Sequence, residues 1–161
     1  MVRGDGKWFL TRVKQTIYRF RMIDAGDNVA VALSGGKDSG ALLYILHLFQ
    51  RHAPFDFRLQ AIYVDLGWPA DPAPLQRYAK KLQIPLFIEK TAIARIVFER
   101  RQEKNPCALC ANLRRGALHQ AALARGANRV ALGHHLDDDI ETFLLNLIYT
   151  GDFSTFKPQT Y

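Results

Sequence analysis

Cysteine is scarce in this chain. There are two in 161 residues, Cys107 and Cys110, and they form a single Cys-x-x-Cys. With so few, a disulfide scaffold is excluded. With no second pair, so is a four-thiolate zinc site within one subunit. Long apolar runs are missing too. None approaches the ~20 residues of a membrane-spanning helix. No apolar signal-peptide core follows Met1-Val2-Arg3-Gly4-Asp5-Gly6-Lys7,. The expectation is a cytoplasmic protein without membrane contact, whose thiols bind metal or react rather than staple the fold. Repeats and low-complexity tracts are absent. Acid is in deficit: 15 Asp and Glu stand against 22 Lys and Arg, for a net charge of +7 and a pI of about 9.6. Such a balance suits polyanions, nucleic acid above all, but a soluble protein that is merely rich in Lys and Arg fits equally well. The 48% hydrophobic and 23% charged content indicates one globular domain with a real core,.

The most informative stretch is Leu33-Ser34-Gly35-Gly36-Lys37-Asp38-Ser39-Gly40. An apolar run, Asn28 to Leu33, precedes it and a long apolar segment, Ala41 to Phe49, follows. That order reads as strand, tight turn, helix. Two glycines let the backbone turn sharply and bring its amides close to a guest. Ser34, Ser39 and Lys37 add hydroxyls and a cation, so the turn suits a phosphate chain at a helix start. Capping by Asp38 or Ser39 would explain only part of this. The spacing is not that of the Walker A loop, so ordinary NTPase chemistry is not implied.

The rest of the chain alternates helix and strand. Residues Trp8 to Asp24 carry apolar groups at Leu10, Val13, Ile17 and Phe20, a helical spacing, with Arg12, Lys14, Arg19 and Arg21 on the other faces,. This basic helix, residues 1–26 with its flanks, is either a solvated face or a rim for nucleic acid. The helix after the glycine loop is apolar nearly all round, which predicts a central, buried element. Strands are expected at Phe57–Asp65, Ile84–Glu89 and Asn128–Leu132. Helices are expected at Leu75–Leu82, from Thr91 to a stop at Asn105-Pro106, over residues 111–125, and from Leu136 through Tyr149 to Gly151. The fold class is therefore α/β, a doubly wound, mostly parallel sheet with helices on both faces. Three polar turns follow strand ends: the glycine loop, Asp65-Leu66-Gly67 and Gly133-His134-His135. In such sheets the ligand lies at that edge.

Two further motifs bear on chemistry. After Gly133-His134-His135, Asp137, Asp138 and Asp139 open the last helix. They suit the helix dipole, but beside a phosphate loop they would repel the ligand unless Mg²⁺ bridged them. Which of these three aspartates would ligate stays open, and Glu141, one turn further on, is read as structural. Cys107 and Cys110 lie near an expected helix start, flanked by Lys104, Arg114 and Arg115. These features favour a functional thiol pair over two small buried residues, leaving half a zinc site, a redox pair or part of an iron–sulfur set open. His47 and His119 read as structural. Trp68 could stack on a base, although packing is the commoner role.

Taken together, Leu33–Ser39, Asp65, Cys107/Cys110 with Arg114-Arg115-Gly116, and Ala131-Leu132-Gly133-His134-His135 with Asp137, Asp138, Glu141 and Thr142 resemble the PP-loop (N-type) ATP pyrophosphatases. Within them the pattern is similar to the tRNA 2-thiocytidine synthetases. The resemblance implies an adenine nucleotide alpha hydrolase-like, Rossmann-like fold over residues 27–161. It implies ATP on Leu33, Ser34, Gly35, Gly36, Lys37, Asp38, Ser39, Asp65, Gly133, His134 and His135, and Mg²⁺ near Asp38 and Asp137 or Asp138. A cytidine carbonyl of the tRNA anticodon loop would be adenylated with loss of pyrophosphate, and sulfur would then displace AMP. Lys37, Asp38, Cys107 and Cys110 are the implied catalytic residues, and Arg114 and Arg115 the implied RNA contacts. The thiols would hold a [4Fe–4S] cluster with a third cysteine that this chain lacks. The implied partners are tRNA, a sulfur donor protein or sulfide, and a second copy in a homodimer. Relatives run on past Tyr161 through another strand, so an uncovered sheet edge is expected here. A lysidine-type tRNA ligase, or an adenine-nucleotide-binding module without turnover, are the alternatives.

Overall fold

The computed structural model describes residues 5–101 and 106–155, with side chains from Leu10 onward. The expected helix stop at Asn105, the flanking Lys104 and the terminal Tyr161 lie outside the described residues. Helix α1 spans Asp5–Arg19, strand β1 Asn28–Ala32, helix α2 Lys37–His52, strand β2 Arg58–Asp65, helix α3 Ala73–Lys81 and strand β3 Leu86–Lys90. A three-residue helix α4, Ile93–Arg95, runs into a π-helix, Ile96–Arg101. Helix α5 (Pro106–Ala124), strand β4 (Arg129–Ala131) and helix α6 (Leu136–Thr150) complete the order.

All described strand pairs are parallel and the order is β3-β2-β1-β4. The chain winds outward from β1 to β3, then crosses back to place β4 on the other side of β1. Alternation along the strands feeds two cores. Val29, Val31, Leu33, Leu59 and Ala61 face α1, α2 and α3, packing on Ile17, Leu43, Leu46 and Phe49. Ala30, Ile62 and Val64 face α4, the π-helix and α5, packing on Ile93, Val97, Leu118 and Ala122. The expected doubly wound α/β fold is what forms.

Local expectations needed correction in four places. Helix α1 ends at Arg19 rather than Asp24, because Arg21 adopts a left-handed φ of 48° that no helix continues through,. Helix α2 is not buried all round. Leu43, Leu46 and Phe49 form its inner stripe, while Tyr44 is 47% exposed, since a helix covering one sheet face must leave its far side open. The expected single helix after Thr91 is α4 plus the π-helix. Helix α5 starts at Pro106, five residues before the expected 111, so both cysteines lie within its first turns. Proline suits that first turn, where its missing N–H is no loss.

Helix α6 joins neither core. It has no buried residue, and Leu136, Ile140, Leu144, Leu145, Ile148 and Tyr149 are exposed along it. Strand β4, three residues long, forms one border of the described sheet.

Candidate functional site

The order β2-β1-β4 puts the turn after β1 directly beside the turn after β4. This is the switch point at which open parallel sheets open a crevice. The glycine loop braces itself there. The Ser34 amide donates to Ser39 Oγ (3.1 Å), the two hydroxyls share a bond of 3.0 Å, and Ser39 Oγ donates to the Gly36 carbonyl at 3.0 Å. The Gly36 amide donates to Ser34 Oγ (3.3 Å). Ser39 is buried, so this small network fixes the loop from below. Gly35 has a φ of +90°, and a Cβ there would meet nothing within 4 Å. Glycine is needed at this position for the backbone conformation, and the space above the loop is open. The Lys37 and Asp38 amides at the start of α2 precede the first intrahelical bond, Gly40 to the Gly36 carbonyl at 3.2 Å, and such amides suit an anion. A phosphate group fits this cradle.

Gly133 closes the other side. A Cβ on it would lie 2.9 Å from the Ser39 amide nitrogen and 3.0 Å from Ser39 Cα. The turn after β4 is therefore pressed onto the start of α2, and only a glycine allows it. His135 follows as the cap of α6, its amide donating to Asp138 Oδ2 at 2.8 Å. Its Nε2 lies 3.7 Å from Asp38 Oδ2. Lys37 Nζ donates to both oxygens of Asp38 at 2.8 Å. That bond holds the Asp38 carboxyl below its ordinary range, with the charges of Lys37 and His135 outweighing burial. The same bond raises the Lys37 ammonium, helped by the charges of Asp38, Asp138 and Asp137. Lys37 is 84% exposed along its side chain, so a phosphate arriving at the loop can draw it away from Asp38.

A family model described as the PP-loop domain matches residues 9–155. The chain belongs to the PP-loop domain family. This PP-loop domain is 44% identical over 147 residues to a tRNA-cytidine(32) 2-sulfurtransferase of Pelobacter propionicus, covering 90% of the chain and 55% of that protein. It is 43% identical over 152 residues to a protein of the same name from Nitrosomonas europaea, covering 91% and 48%. The chain thus spans about half the length of the curated relatives it matches. Among solved structures it is similar to the U34-tRNA thiolase NcsA from Methanococcus maripaludis with its [4Fe-4S] cluster. The TM-score is 0.73 and the identity 25%, over 89% of this chain and 50% of that one. An NH3-dependent NAD synthetase from Campylobacter jejuni shares the fold alone, with a TM-score of 0.53 and 17% identity over 76% of this chain and 54% of that one.

The other residues singled out in the sequence of this PP-loop domain are placed unevenly. Asp65, at the end of β2, is occupied in its own turn. Its carboxylate accepts from the Gly67 amide (2.9 Å), and its carbonyl from the Thr91 amide and hydroxyl. Asp137 is exposed and Asp138 serves as the α6 cap. Among the described residues, no group of three or more His, Cys, Asp or Glu side chains is arranged to hold a metal. The expected magnesium ligands Asp38, Asp137 and Asp138 lie around the His135 ring, at 3.7, 3.9 and 3.6 Å from its nitrogens, with Asp38 also held by Lys37 and Asp138 by the helix cap. Cys107 is exposed and Cys110 half-buried against the second core; both are free thiols one turn apart. They could supply two cluster ligands, and the chain has no third cysteine. Of the two candidate RNA contacts, Arg115 is exposed. Arg114 instead lines a cleft with Ala32, Leu33, Ile62, Val64 and Leu118, over the carboxyl ends of β1 and β2. Helical periodicity places Arg114 one turn before the buried Leu118, which is the signal that could have separated it from Arg115. His47 is half-buried, and burial with the charge of Arg51 holds its imidazole low. His119, read as structural, is exposed.

Proposed function

We propose that this chain is the nucleotide-activating part of an ATP-dependent tRNA thiolase acting on a cytidine of the anticodon loop. The observation that carries the reading is the meeting of the braced Ser34–Ser39 loop with the Gly133–His135 turn, in a chain whose helix α5 begins with two free thiols. Similarity to tRNA sulfurtransferases and to a tRNA thiolase supports the substrate class.

In this reading the loop amides and Lys37 hold the ATP phosphates. The cytidine carbonyl oxygen attacks the α-phosphorus, and the bond to pyrophosphate breaks. A sulfur nucleophile, delivered by a donor protein or as sulfide, then adds to the activated carbon, and AMP leaves with the oxygen. Lys37 stabilises charge that develops on the phosphates. Before ATP arrives its ammonium is paired with Asp38. Cys107 and Cys110 would supply two ligands to a [4Fe–4S] cluster, and Asp38, Asp137 and Asp138 would be the carboxylates to hold magnesium by the ATP phosphates,. A homodimer stays part of the proposal.

Pyrophosphate release from ATP with unmodified tRNA tests it. Lys37→Ala is expected to lower turnover by about 100-fold, the scale for losing one preorganised charge-stabilising donor. Full turnover in Lys37→Ala would sink the mechanism. Tight binding of an ATP analogue without pyrophosphate release from any tRNA would leave a binding module instead.

A further inference from the structure

Trp68 and Phe98 stand together at the carboxyl edge of the sheet, outside the site described above. Their ring centroids are 5.4 Å apart at 86°, an edge-to-face pair. Both are exposed, Trp68 by 53% and Phe98 by 45%. Other large apolar side chains are exposed too, notably along α6, but this aromatic pair lies at the sheet edge where a ligand of such a fold binds.

Neither ring sits on a loose segment. The chain around Trp68 is pinned: Ala94 donates to the Leu66 carbonyl at 2.8 Å, and the Gly67 amide donates to Asp65. Gly67 has a φ of +89° and presses on the Thr91 carbonyl oxygen, where a Cβ would come within 2.9 Å. Phe98 follows Val97, which is fully buried. It belongs to the π-helix, a rare geometry that is frequent at functional sites,. The backbone that carries each ring is thus anchored, and the rings contact each other in solvent.

The surroundings are cationic. Arg95, Arg100 and Arg101 on the same segment and Lys90 at the end of β3 are exposed, with Glu99 the acid among them. The pair follows β2 and β3; β2 neighbours β1, which leads into the phosphate loop, and β3 lies on the far side of β2, so all three exits open at one sheet edge,. Leu66 and Val97 share their apolar cluster with Cys110.

We infer that Trp68 and Phe98 form a stacking platform for an unpaired RNA base, with the Arg95–Arg101 segment holding the flanking phosphates. Bases splayed from a loop are recognised by aromatic stacking plus arginine contacts, whereas paired bases are not available to a platform. The inference rests on the tRNA reading above and adds the residues that would seat the target loop.

The test uses the whole chain in a Trp8→Phe background, so that Trp68 is the only tryptophan. Unmodified anticodon stem–loop RNA should quench its emission, and a fully paired duplex of equal length should not. Trp68→Ala and Phe98→Ala should each weaken stem–loop binding by about 10-fold or more, and Trp68→Phe should recover most of the loss. Alanine variants that bind like wild type, quenching by the duplex to the same extent, or no recovery with phenylalanine would each overturn the platform. If the starting protein binds an ATP analogue but no RNA, the tRNA reading itself fails. If it releases pyrophosphate with tRNA while Trp68→Ala binds RNA normally, only the platform fails.

Discussion

Asp27 is the one buried acid of the described chain, and it lies at the opposite end of the sheet from the candidate site. It accepts bonds from the Asp24 amide (2.8 Å), Asn128 Nδ2 (2.6 Å) and Arg129 Nε (3.2 Å). Burial alone would raise its pKa, but these three bonds and the Arg129 charge outweigh it and hold the group below 3.8. The sign follows. The folded state favours the carboxylate, so its contribution is complete at neutral pH and is lost as pH falls from the ordinary aspartate value through the lower folded one. Asp27→Ala leaves Arg129 and Asn128 without their acceptor and should cost about 2 kcal/mol at pH 7, or about 5 °C in thermal midpoint. Asp27→Asn should flatten the acid limb of a stability–pH curve. A curve with the same acid slope as wild type would show that another group drives acid unfolding. The role of Asp27 was not legible in sequence, because an aspartate after Gly26 reads as ordinary turn chemistry. Its partners come from a hundred residues away.

At the scale of elements, the contact that matters is β4's exit turn against the first turn of α2. Gly133→Ala would drive a Cβ into backbone at 2.9–3.1 Å, and backbone cannot yield as a flexible side chain does. It should cost about 1–3 kcal/mol and, by displacing Ser39, weaken binding of an ATP analogue about tenfold. Calorimetric titration with melting curves checks both. Gly116, inside α5 with nothing within 4 Å of its Cβ position, is the control. There alanine should stabilise by about 0.5–1 kcal/mol. A Gly133→Ala protein that binds nucleotide normally would mean the two turns can separate without harm. Both glycine turns were visible in sequence as polar punctuation after apolar strands. Their contact was not, since it depends on which strands become neighbours.

For the whole molecule, two surface properties stand out: net charge +7 and the apolar face of α6. The charge predicts that RNA affinity falls steeply with salt, by counterion release. The face predicts self-association, because contiguous exposed apolar groups are rarely left on a monomer. Ile148 is 72% exposed, so Ile148→Glu should change stability by less than about 0.5 kcal/mol. In sedimentation the same substitution should shift the chain toward monomer. Unfolding of that variant would show instead that α6 is packed. The apolar run of α6 was plain in the sequence, and its exposure was not. A helical pattern gives the direction of an apolar face without saying whether anything covers it.

Sequence alone determined the alternation of strands and helices, the glycine loop, the thiol pair and the three polar turns. These are local properties, set by apolar periodicity and by the conformations glycine and proline permit over a few residues. Tertiary structure decided the rest. It brought the turns after β1 and β4 together, placed Arg114 over the sheet while leaving Arg115 in solvent, and set Asp38 between Lys37 and His135. It also broke the segment after Thr91 into a π-helix that carries Phe98 to Trp68. Each of these depends on strand order and crossover, and so on burial between residues far apart in the chain, which no window of sequence contains.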